Sequence, residues 1–237
     1  AAERVSKTLQ QEPGPIPLEF VEQGVQRGTG DAVAVGVTGL PDDDDADEGD
    51  VMVLPGDTPL VRAETLSELV LEHRLSGAAC TLLTARLDDP RGYGRVVRDK
   101  DGRVRRIVEH RDASAHELTI DEVNTSIYVF RRGLLSPALR RITPDNSQGE
   151  LYVTDVVEVL AAAGHLVVSL VADAGETQGV NDRAQLAVAE AELRRRTNQA
   201  WMEAGVTIVD PDATYVDVTV TLAADVTLFP GTILRGV

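Results

Sequence analysis

Short apolar runs alternate with longer segments of helical periodicity along most of this 237-residue chain. Apolar runs at residues 16–21, 51–54 and 78–85 predict strands, and the apolar spacing at residues 63–75 predicts an amphipathic helix. Alternation of this kind predicts a mostly parallel sheet covered by helices. The sequence Asp99-Lys-Asp-Gly102 lies between two further apolar runs and predicts a β-hairpin.

Composition and charge narrow the classes of function. The formal net charge of −16 excludes the basic surface that non-specific nucleic-acid binding needs. No apolar run approaches the length of a membrane span, so we expect no membrane segment. The single cysteine, Cys80, is consistent with a reducing cytoplasm, and its apolar surroundings predict a buried structural thiol. The nearly continuous acidic run at residues 42–50 is interpreted as a solvated loop.

The spacing of apolar residues changes towards the end of the chain. The longest helical pattern covers residues 182–204. Beyond it, Leu222, Leu228 and Leu234 occupy matching positions of a six-residue repeat. Hexads of this kind indicate the start of a parallel β-helix, and coincidental strand periodicity is the alternative.

Two motifs carry candidate chemistry. Gln23 and the turn Gly28-Thr29-Gly30 could present an amide to a nucleobase and backbone N–H groups to a nucleotide. Asp57 follows an apolar strand and could hold a cation, although a surface turn aspartate is an equal alternative. Asn181 could complete an oxygen-ligand site for Mg²⁺ with Asp57, or it could simply cap the long helix.

Further polar candidates stand at predicted strand ends. Gly94, Glu109 and Asn124 could hold sugar hydroxyls, although each alone is more often structural. The four histidines show no zinc spacing, and no Gly-x-Ser-x-Gly nucleophile motif is present. A nucleotidyl transfer needs a divalent cation and aligned donors more than it needs a protein nucleophile.

Taken in order, these motifs resemble the uridyltransferase domain of the bacterial bifunctional N-acetylglucosamine-1-phosphate uridyltransferase/glucosamine-1-phosphate N-acetyltransferases. The matching motifs are Gln23 with Gly28-Thr-Gly30, Pro55-Gly-Asp57-Thr-Pro-Leu, Gly92-Tyr-Gly-Arg95, Ile107-Val-Glu109-His-Arg-Asp-Ala, Glu122-Val-Asn124-Thr, Gln148-Gly-Glu-Leu-Tyr152-Val-Thr-Asp155 and Gly179-Val-Asn181-Asp-Arg. The match runs from about residue 16 to the end of the chain, since the hexads resemble the start of the acetyltransferase β-helix.

The resemblance implies a cytoplasmic, Mg²⁺-dependent enzyme that makes UDP-N-acetylglucosamine and pyrophosphate from UTP and N-acetylglucosamine 1-phosphate. It implies that Gln23, Gly28 and Thr29 contact the uracil and ribose, and that Asp57 and Asn181 hold Mg²⁺. Gly94, Glu109 and Asn124 would bind the sugar, with Asn181 also near its phosphate and Thr154 a weaker candidate. The parent protein would also acetylate glucosamine 1-phosphate from acetyl-CoA and would form a homotrimer.

The implied fold class is α/β: a Rossmann-like nucleotidyltransferase sheet, truncated at its N-terminus, then a long helix and the start of a left-handed parallel β-helix. The expected domains are an N-terminally truncated uridyltransferase domain at 1–181, a linker helix at 182–204 and the β-helix start at 205–237.

The chain departs from the family pattern in three places. The family's opening strand, with a Gly-rich loop carrying an Arg and then a Lys, does not occur in it. Pro55 stands where a hydroxyl residue is common, and Ser126 stands where a small Gly- or Ala-type turn residue is expected. The helical pattern from Ala1 also indicates a fragment, which we expect to show little turnover.

Two rival interpretations remain open. One is a glucose- or mannose-1-phosphate nucleotidyltransferase, which would share the chemistry but differ in the sugar. The other is a non-catalytic sugar-nucleotide-binding module.

Overall fold

Helices and strands are interspersed along the chain, as the sequence predicts, but they do not alternate strictly. The computed structural model describes residues 2–11, 16–41 and 49–236, so most of the predicted acidic loop lies outside the described residues. The helices are α1 (Ala2–Gln11), α2 (Thr29–Val37), α3 (Ala63–Ser76), α4 (Arg132–Leu139), α5 (Thr154–Ala162) and α6 (Arg183–Glu203). The strands are β1 (Asp50–Val53), β2 (Cys80–Arg86), β3 (Arg95–Arg98), β4 (Val104–Val108), β5 (Glu122–Arg131), β6 (Val167–Val171), β7 (Thr207–Ile208), β8 (Tyr215–Val216), β9 (Thr227–Leu228) and β10 (Ile233–Leu234).

The chain folds into two units. The first unit comprises Ala1–Pro55 and Ala63–Ala174, and the second comprises Gly56–Arg62 and Gly175–Val237. The segment that carries Asp57 therefore belongs with the later part of the chain, and the boundary between the units falls before residue 181.

The first unit is built on a six-stranded sheet. Its order is β4-β3-β5-β2-β6, with β1 paired to β5 as well. Only β2 and β6 run parallel among the described strand pairs of this sheet, so the expectation of a mostly parallel sheet is wrong. The error has a physical cause: β2 and β5 are buried along almost their whole length, and continuous burial does not reveal strand direction.

The β-hairpin predicted around Asp99-Lys-Asp-Gly102 is confirmed, and β3 and β4 are its two strands. Asp99 donates its N–H to the carbonyl of Arg103 at 2.9 Å, and the two strands pair antiparallel. One core of the sheet packs against α4 and α5, with Tyr128, Phe130 and Val156 among its fully buried members.

The strand prediction at residues 16–21 is wrong. The described segment from Ile16 onward has no strand partner, and Ile16, Leu18 and Phe20 are 71, 50 and 41% exposed. An apolar run becomes a strand only where another strand satisfies its backbone groups.

The second unit combines α6 with four two-residue strands. Thr207 pairs with Thr227 in β7–β9, and Tyr215 pairs with Ile233 in β8–β10; both pairs are parallel. Leu228 is buried in the cluster between these strands and α6, and Leu222 and Leu234 pack against the same cluster. The three matched leucines of the hexads therefore share one apolar core.

Candidate active site

The main cavity of the first unit has a volume of about 610 Å³. Apolar side chains such as Val33, Val53 and Leu54 line part of it, and polar groups of Glu109, Ser126 and Thr154 line the rest. A cavity of this size with a few convergent polar groups is the usual form of a small-molecule site.

A close backbone contact builds the wall at the start of α2. Gly28 has φ +113°, and a Cβ added there would lie 2.5 Å from the carbonyl oxygen of Leu151. Leu151 donates its N–H to Arg27 and accepts from Gly30, both at 2.8 Å. The Gly30 N–H is therefore engaged within the protein, which corrects the expectation that the whole turn offers backbone donors. Thr29 lines the cavity, and its Oγ1 accepts from the N–H of Val153 at 3.0 Å.

The side chain of Gln23 is held in one orientation. Its Nε2 donates to Asp31 Oδ2 at 2.6 Å and to the Gly28 carbonyl at 3.4 Å. The amide nitrogen is thus engaged, which leaves the Oε1 acceptor as the group available to a ligand. Gln23 and Gly28 are brought together by this contact, as the sequence predicts for a shared role.

Three of the predicted sugar ligands, with Thr154, form one polar set. A Cβ on Gly94 would lie 2.9 Å from Ile107 Cγ2, which is too close, and 3.4 Å from Glu109 Oε2, which is an ordinary van der Waals contact. Gly94 therefore packs directly against Ile107 and beside the Glu109 carboxylate. Thr154 Oγ1 donates to Glu109 Oε1 at 3.1 Å. The backbone N–H of Asn124 in β5 donates to the carbonyl of Gly94 at 2.9 Å, so β5 is bonded to the residue directly before β3.

Asn124 offers an unused acceptor inside the protein. Its side-chain Nδ2 donates to Tyr128 Oη at 2.7 Å. Its Oδ1 is buried and has no hydrogen-bond partner among the described residues. A buried polar atom left without a partner is costly, and a bound ligand can supply the missing donor.

The electrostatics at this end of the cavity are acidic. Burial raises the pKa of Glu109, and Asp112 adds to the effect. Burial, followed by the charges of Glu158, Glu109 and Asp112, raises the pKa of Asp155 to about 6. Carboxylates accept hydrogen bonds from hydroxyl groups and repel anions, so this end suits the hydroxyls of a sugar better than a phosphate.

The predicted metal ligands lie in the second unit. Asp57 is exposed, and its carbonyl oxygen accepts from the N–H of Val180 at 2.8 Å. This bond ties Asp57 to the residue before Asn181, and a Cβ on Gly179 would lie 3.9 Å from Asp57 Oδ2. The N-cap of α6 is Asp182, whose Oδ1 accepts from the Gln185 N–H at 2.8 Å. Asn181 is therefore not the helix cap, and its amide oxygen and the Asp57 carboxylate are ligand types that Mg²⁺ accepts.

Several cavity residues received no role from the sequence. Gln148 accepts from Arg111 Nη1 at 2.5 Å, and both line the cavity with Tyr152. The His110 Nδ1 is buried without a partner among the described residues. The motifs quoted from the sequence contain all four of these residues: His110 and Arg111 follow Glu109, and Gln148 and Tyr152 precede Thr154. Their positions in these motifs could have indicated a role in the site.

Other chemistries find no support in the described residues. Cys80 is fully buried, and burial raises the pKa of its thiol well above the ordinary value, as expected for a structural thiol. Within residues 2–11, 16–41 and 49–236, no group of three or more His, Cys, Asp or Glu side chains could hold a metal ion. Over the same part of the chain, every helix is too short or too polar to cross a membrane.

Comparison with known proteins identifies the family. The family model for nucleotidyl transferases matches residues 1–207. A protein of Leifsonia xyli named "Bifunctional protein GlmU" is 50% identical over 92% of the chain and 44% of its own length. Proteins of the same name from Trichlorobacter lovleyi and Exiguobacterium sibiricum are 47 and 46% identical, over 99 and 92% of the chain and 50 and 48% of their own lengths. The chain spans about half the length of these curated relatives. From the family match, the chain belongs to the nucleotidyl transferase family.

Proposed function

We propose that this chain is the uridyltransferase part of a bifunctional enzyme. The reaction joins the phosphate oxygen of N-acetylglucosamine 1-phosphate to the α-phosphorus of UTP, which gives UDP-N-acetylglucosamine and releases pyrophosphate. The observation that carries the proposal is the polar set in the first unit, where Gly94 packs beside the Glu109 carboxylate and Asn124 keeps a buried acceptor unused.

The uridine end involves Gln23, Gly28 and Thr29. The fixed orientation of the Gln23 amide leaves Oε1 as an acceptor, which matches the N3–H donor of uracil. Cytosine carries no hydrogen on N3, so an acceptor at this place would favour UTP over CTP. Gly28 allows the close approach of its backbone to Leu151 that any side chain there would prevent, and this approach places the turn beside the cavity residue Thr29.

The sugar end involves Gly94, Glu109 and Asn124, with Thr154 as a supporting residue. Glu109 can accept from one sugar hydroxyl while Thr154 holds its other side, and Asn124 Oδ1 can accept from a second donor. These two acceptors are fixed by one sheet, since Glu109 directly follows β4 and Asn124 lies in β5. They orient the sugar, so the attacking phosphate oxygen has fewer orientations to lose.

Asp57 and Asn181 are proposed to hold Mg²⁺, and Asn181 is proposed to lie near the sugar phosphate as well. Both side chains are exposed, and the bond between Asp57 and Val180 keeps their segments adjacent. When bound, Mg²⁺ neutralises phosphate charge and orients the triphosphate. The chain's own contribution is two oxygen ligands, with the remaining positions left for phosphates and water.

Two further assignments concern the end of the chain and the parent protein. We propose that residues 205–237 begin a left-handed parallel β-helix, on the basis of the parallel pairs β7–β9 and β8–β10 and the shared leucine core. The parent protein is proposed to be a cytoplasmic homotrimer that also acetylates glucosamine 1-phosphate from acetyl-CoA.

Calorimetric binding of sugar nucleotides to this chain in the presence of MgCl₂ tests the proposal. We expect UDP-N-acetylglucosamine to bind more tightly than UDP-glucose and GDP-mannose. Equal or tighter binding of UDP-glucose or GDP-mannose would favour a different sugar-1-phosphate nucleotidyltransferase. A second assay measures pyrophosphate release by the parent protein from UTP and N-acetylglucosamine 1-phosphate. If the chain binds UDP-N-acetylglucosamine but the parent protein releases no pyrophosphate, a non-catalytic binding module would be favoured.

A further inference from the structure

Ser126 occupies a backbone conformation that serine rarely adopts. Its φ is +62°, in the left-handed region. The cause is an irregularity in the pairing of β2 with β5, where Leu83 faces Ile127 but the next residue, Thr84, faces Asn124. Two residues of β5, Thr125 and Ser126, are therefore inserted between consecutive partners.

The bulge separates the two inserted side chains. Thr125 is buried, and its Oγ1 donates to the Leu83 carbonyl at 2.7 Å. Ser126 is exposed in a strand whose other interior positions are buried, and it lines the main cavity together with Glu109 and Thr154. The bulge thus directs one small hydroxyl into the candidate site. Bulges that re-aim a side chain often lie beside active sites.

A serine is not what the backbone alone would favour here. The left-handed region costs a non-glycine residue about 1 kcal/mol, and glycine adopts it without that cost. The chain retains a side chain at a strained position that opens into a cavity. Strain at such a place is a reason to look for a function in the side chain.

The buried phenol of Tyr128 lies beside this bulge and is held by Asn124, whose Nδ2 donates to Tyr128 Oη at 2.7 Å. The Ser126 hydroxyl carries one hydrogen and two acceptor lone pairs. Because Ser126 lines the cavity, its hydroxyl can donate that hydrogen to a ligand there.

We propose that the Ser126 hydroxyl is a substrate-contacting donor that binds an oxygen of the sugar in a sugar 1-phosphate or sugar nucleotide. The inference rests on the proposed function and deepens it. Glu109 and Asn124 supply acceptors to the sugar, through a carboxylate held by Thr154 and an amide oxygen without a partner among the described residues. Ser126 adds the complementary donor, so the same sugar is held by groups of both kinds.

Two substitutions separate the hydroxyl from the backbone strain. Ser126→Ala removes the hydroxyl and keeps the Cβ at φ +62°. Ser126→Gly removes the hydroxyl and relieves the strain, so it should raise the melting temperature above that of Ser126→Ala. Both variants should bind UDP-N-acetylglucosamine about 3- to 10-fold more weakly than the unsubstituted chain, as expected for one neutral hydrogen bond. Both should bind UDP with unchanged affinity, since UDP has no sugar beyond its ribose.

Calorimetry of the three proteins with UDP-N-acetylglucosamine and with UDP decides the matter. Unchanged affinity of both variants for UDP-N-acetylglucosamine would overturn the role of Ser126 and leave the proposed function standing. An equal loss for both ligands would also overturn it, because the effect would not belong to the sugar. If the unsubstituted chain bound neither ligand, both proposals would be wrong.

Discussion

Asp155 should make the stability of the chain depend on pH. Burial and the charges of Glu158, Glu109 and Asp112 raise the pKa of Asp155 from 3.8 to about 6. A carboxyl group whose pKa is raised by folding binds its proton more tightly in the folded state. The protein therefore loses stability as the pH rises from about 4 to about 6, and the loss stays constant above that range.

The size of the effect follows from the two pKa values. The change from 3.8 to about 6 corresponds to about 3 kcal/mol for a fully shielded group. Asp155 is only half-buried, so solvent screening reduces the figure to about 1.5 kcal/mol. Because part of the loss has already occurred at pH 5, about 0.7 kcal/mol remains between pH 5 and pH 8.

The perturbation is Asp155→Asn, which removes the titrating group and keeps its shape. Urea unfolding followed by circular dichroism at pH 5 and pH 8 gives the free energy of unfolding of both proteins. The free energy of unfolding of the variant, minus that of the unsubstituted protein, should rise by about 0.7 kcal/mol from pH 5 to pH 8. Comparing two pH values cancels the pH-independent effects of the substitution, such as altered packing around the side chain.

A matched substitution guards against a general effect of removing one negative charge. Asp145→Asn changes an exposed carboxylate outside the group around Glu109. The prediction would be contradicted if the free energy of unfolding of Asp155→Asn, minus that of the unsubstituted protein, stayed the same or fell between pH 5 and pH 8. Carbon-13 titration of the Asp155 carboxyl group would then show which pKa was wrong.

Three further substitutions test separate parts of the structure. Gly94→Ala places a Cβ 2.9 Å from Ile107 Cγ2, so it should cost about 1–3 kcal/mol in unfolding free energy. It should also weaken UDP-N-acetylglucosamine binding, because a shift of Ile107 moves the strand end that precedes Glu109. Glu122→Gln breaks a buried ion pair in which Arg98 Nε and Nη2 donate at 2.9 and 2.6 Å, and it should cost about 2–3 kcal/mol in urea unfolding. Mg²⁺ should raise the affinity of the chain for UDP-N-acetylglucosamine, and Asp57→Asn should reduce this factor about tenfold or more. Calorimetry at varied MgCl₂ concentrations measures the factor for both proteins.

Each of these has a control in the same unit. Gly36→Ala adds a Cβ with nothing within 4 Å in the interior of α2, so it should stabilise the chain slightly. Asp121→Asn breaks only the exposed pair with Arg86 and should change stability by less than about 1 kcal/mol. Asp212→Asn removes an exposed carboxylate from the second unit and should leave the Mg²⁺ effect unchanged. A control that matched its test variant would contradict the corresponding prediction.

Local pattern predicted the elements better than their pairing. The helices at residues 63–75 and 182–204 and the hairpin around Asp99 follow from periodicity and turn residues, and the structure has them within a few residues. Strand direction was not predictable, because β2 and β5 are buried on both faces whichever way they run. The run at residues 16–21 has strand propensity, but pairing depends on a partner that local sequence does not specify.

The candidate site was partly accessible from the sequence. Gly94, Glu109 and Asn124 were singled out from their motifs, and the structure places all three at strands of one sheet: Gly94 directly before β3, Glu109 directly after β4 and Asn124 near the start of β5. The bulge that turns Ser126 into the cavity was not predictable, because register is a property of two strands. The cap at Asp182 was also missed, since Asn and Asp serve equally well in that position.

A crystal structure of the chain with UDP-N-acetylglucosamine and MgCl₂ would show directly whether the sugar binds at this site. We expect sugar hydroxyls within hydrogen-bond distance of the Glu109 carboxylate and Asn124 Oδ1, with the uracil N3–H on Gln23 Oε1. A sugar bound away from Glu109 and Asn124, with Asn124 Oδ1 still unpartnered, would contradict this expectation.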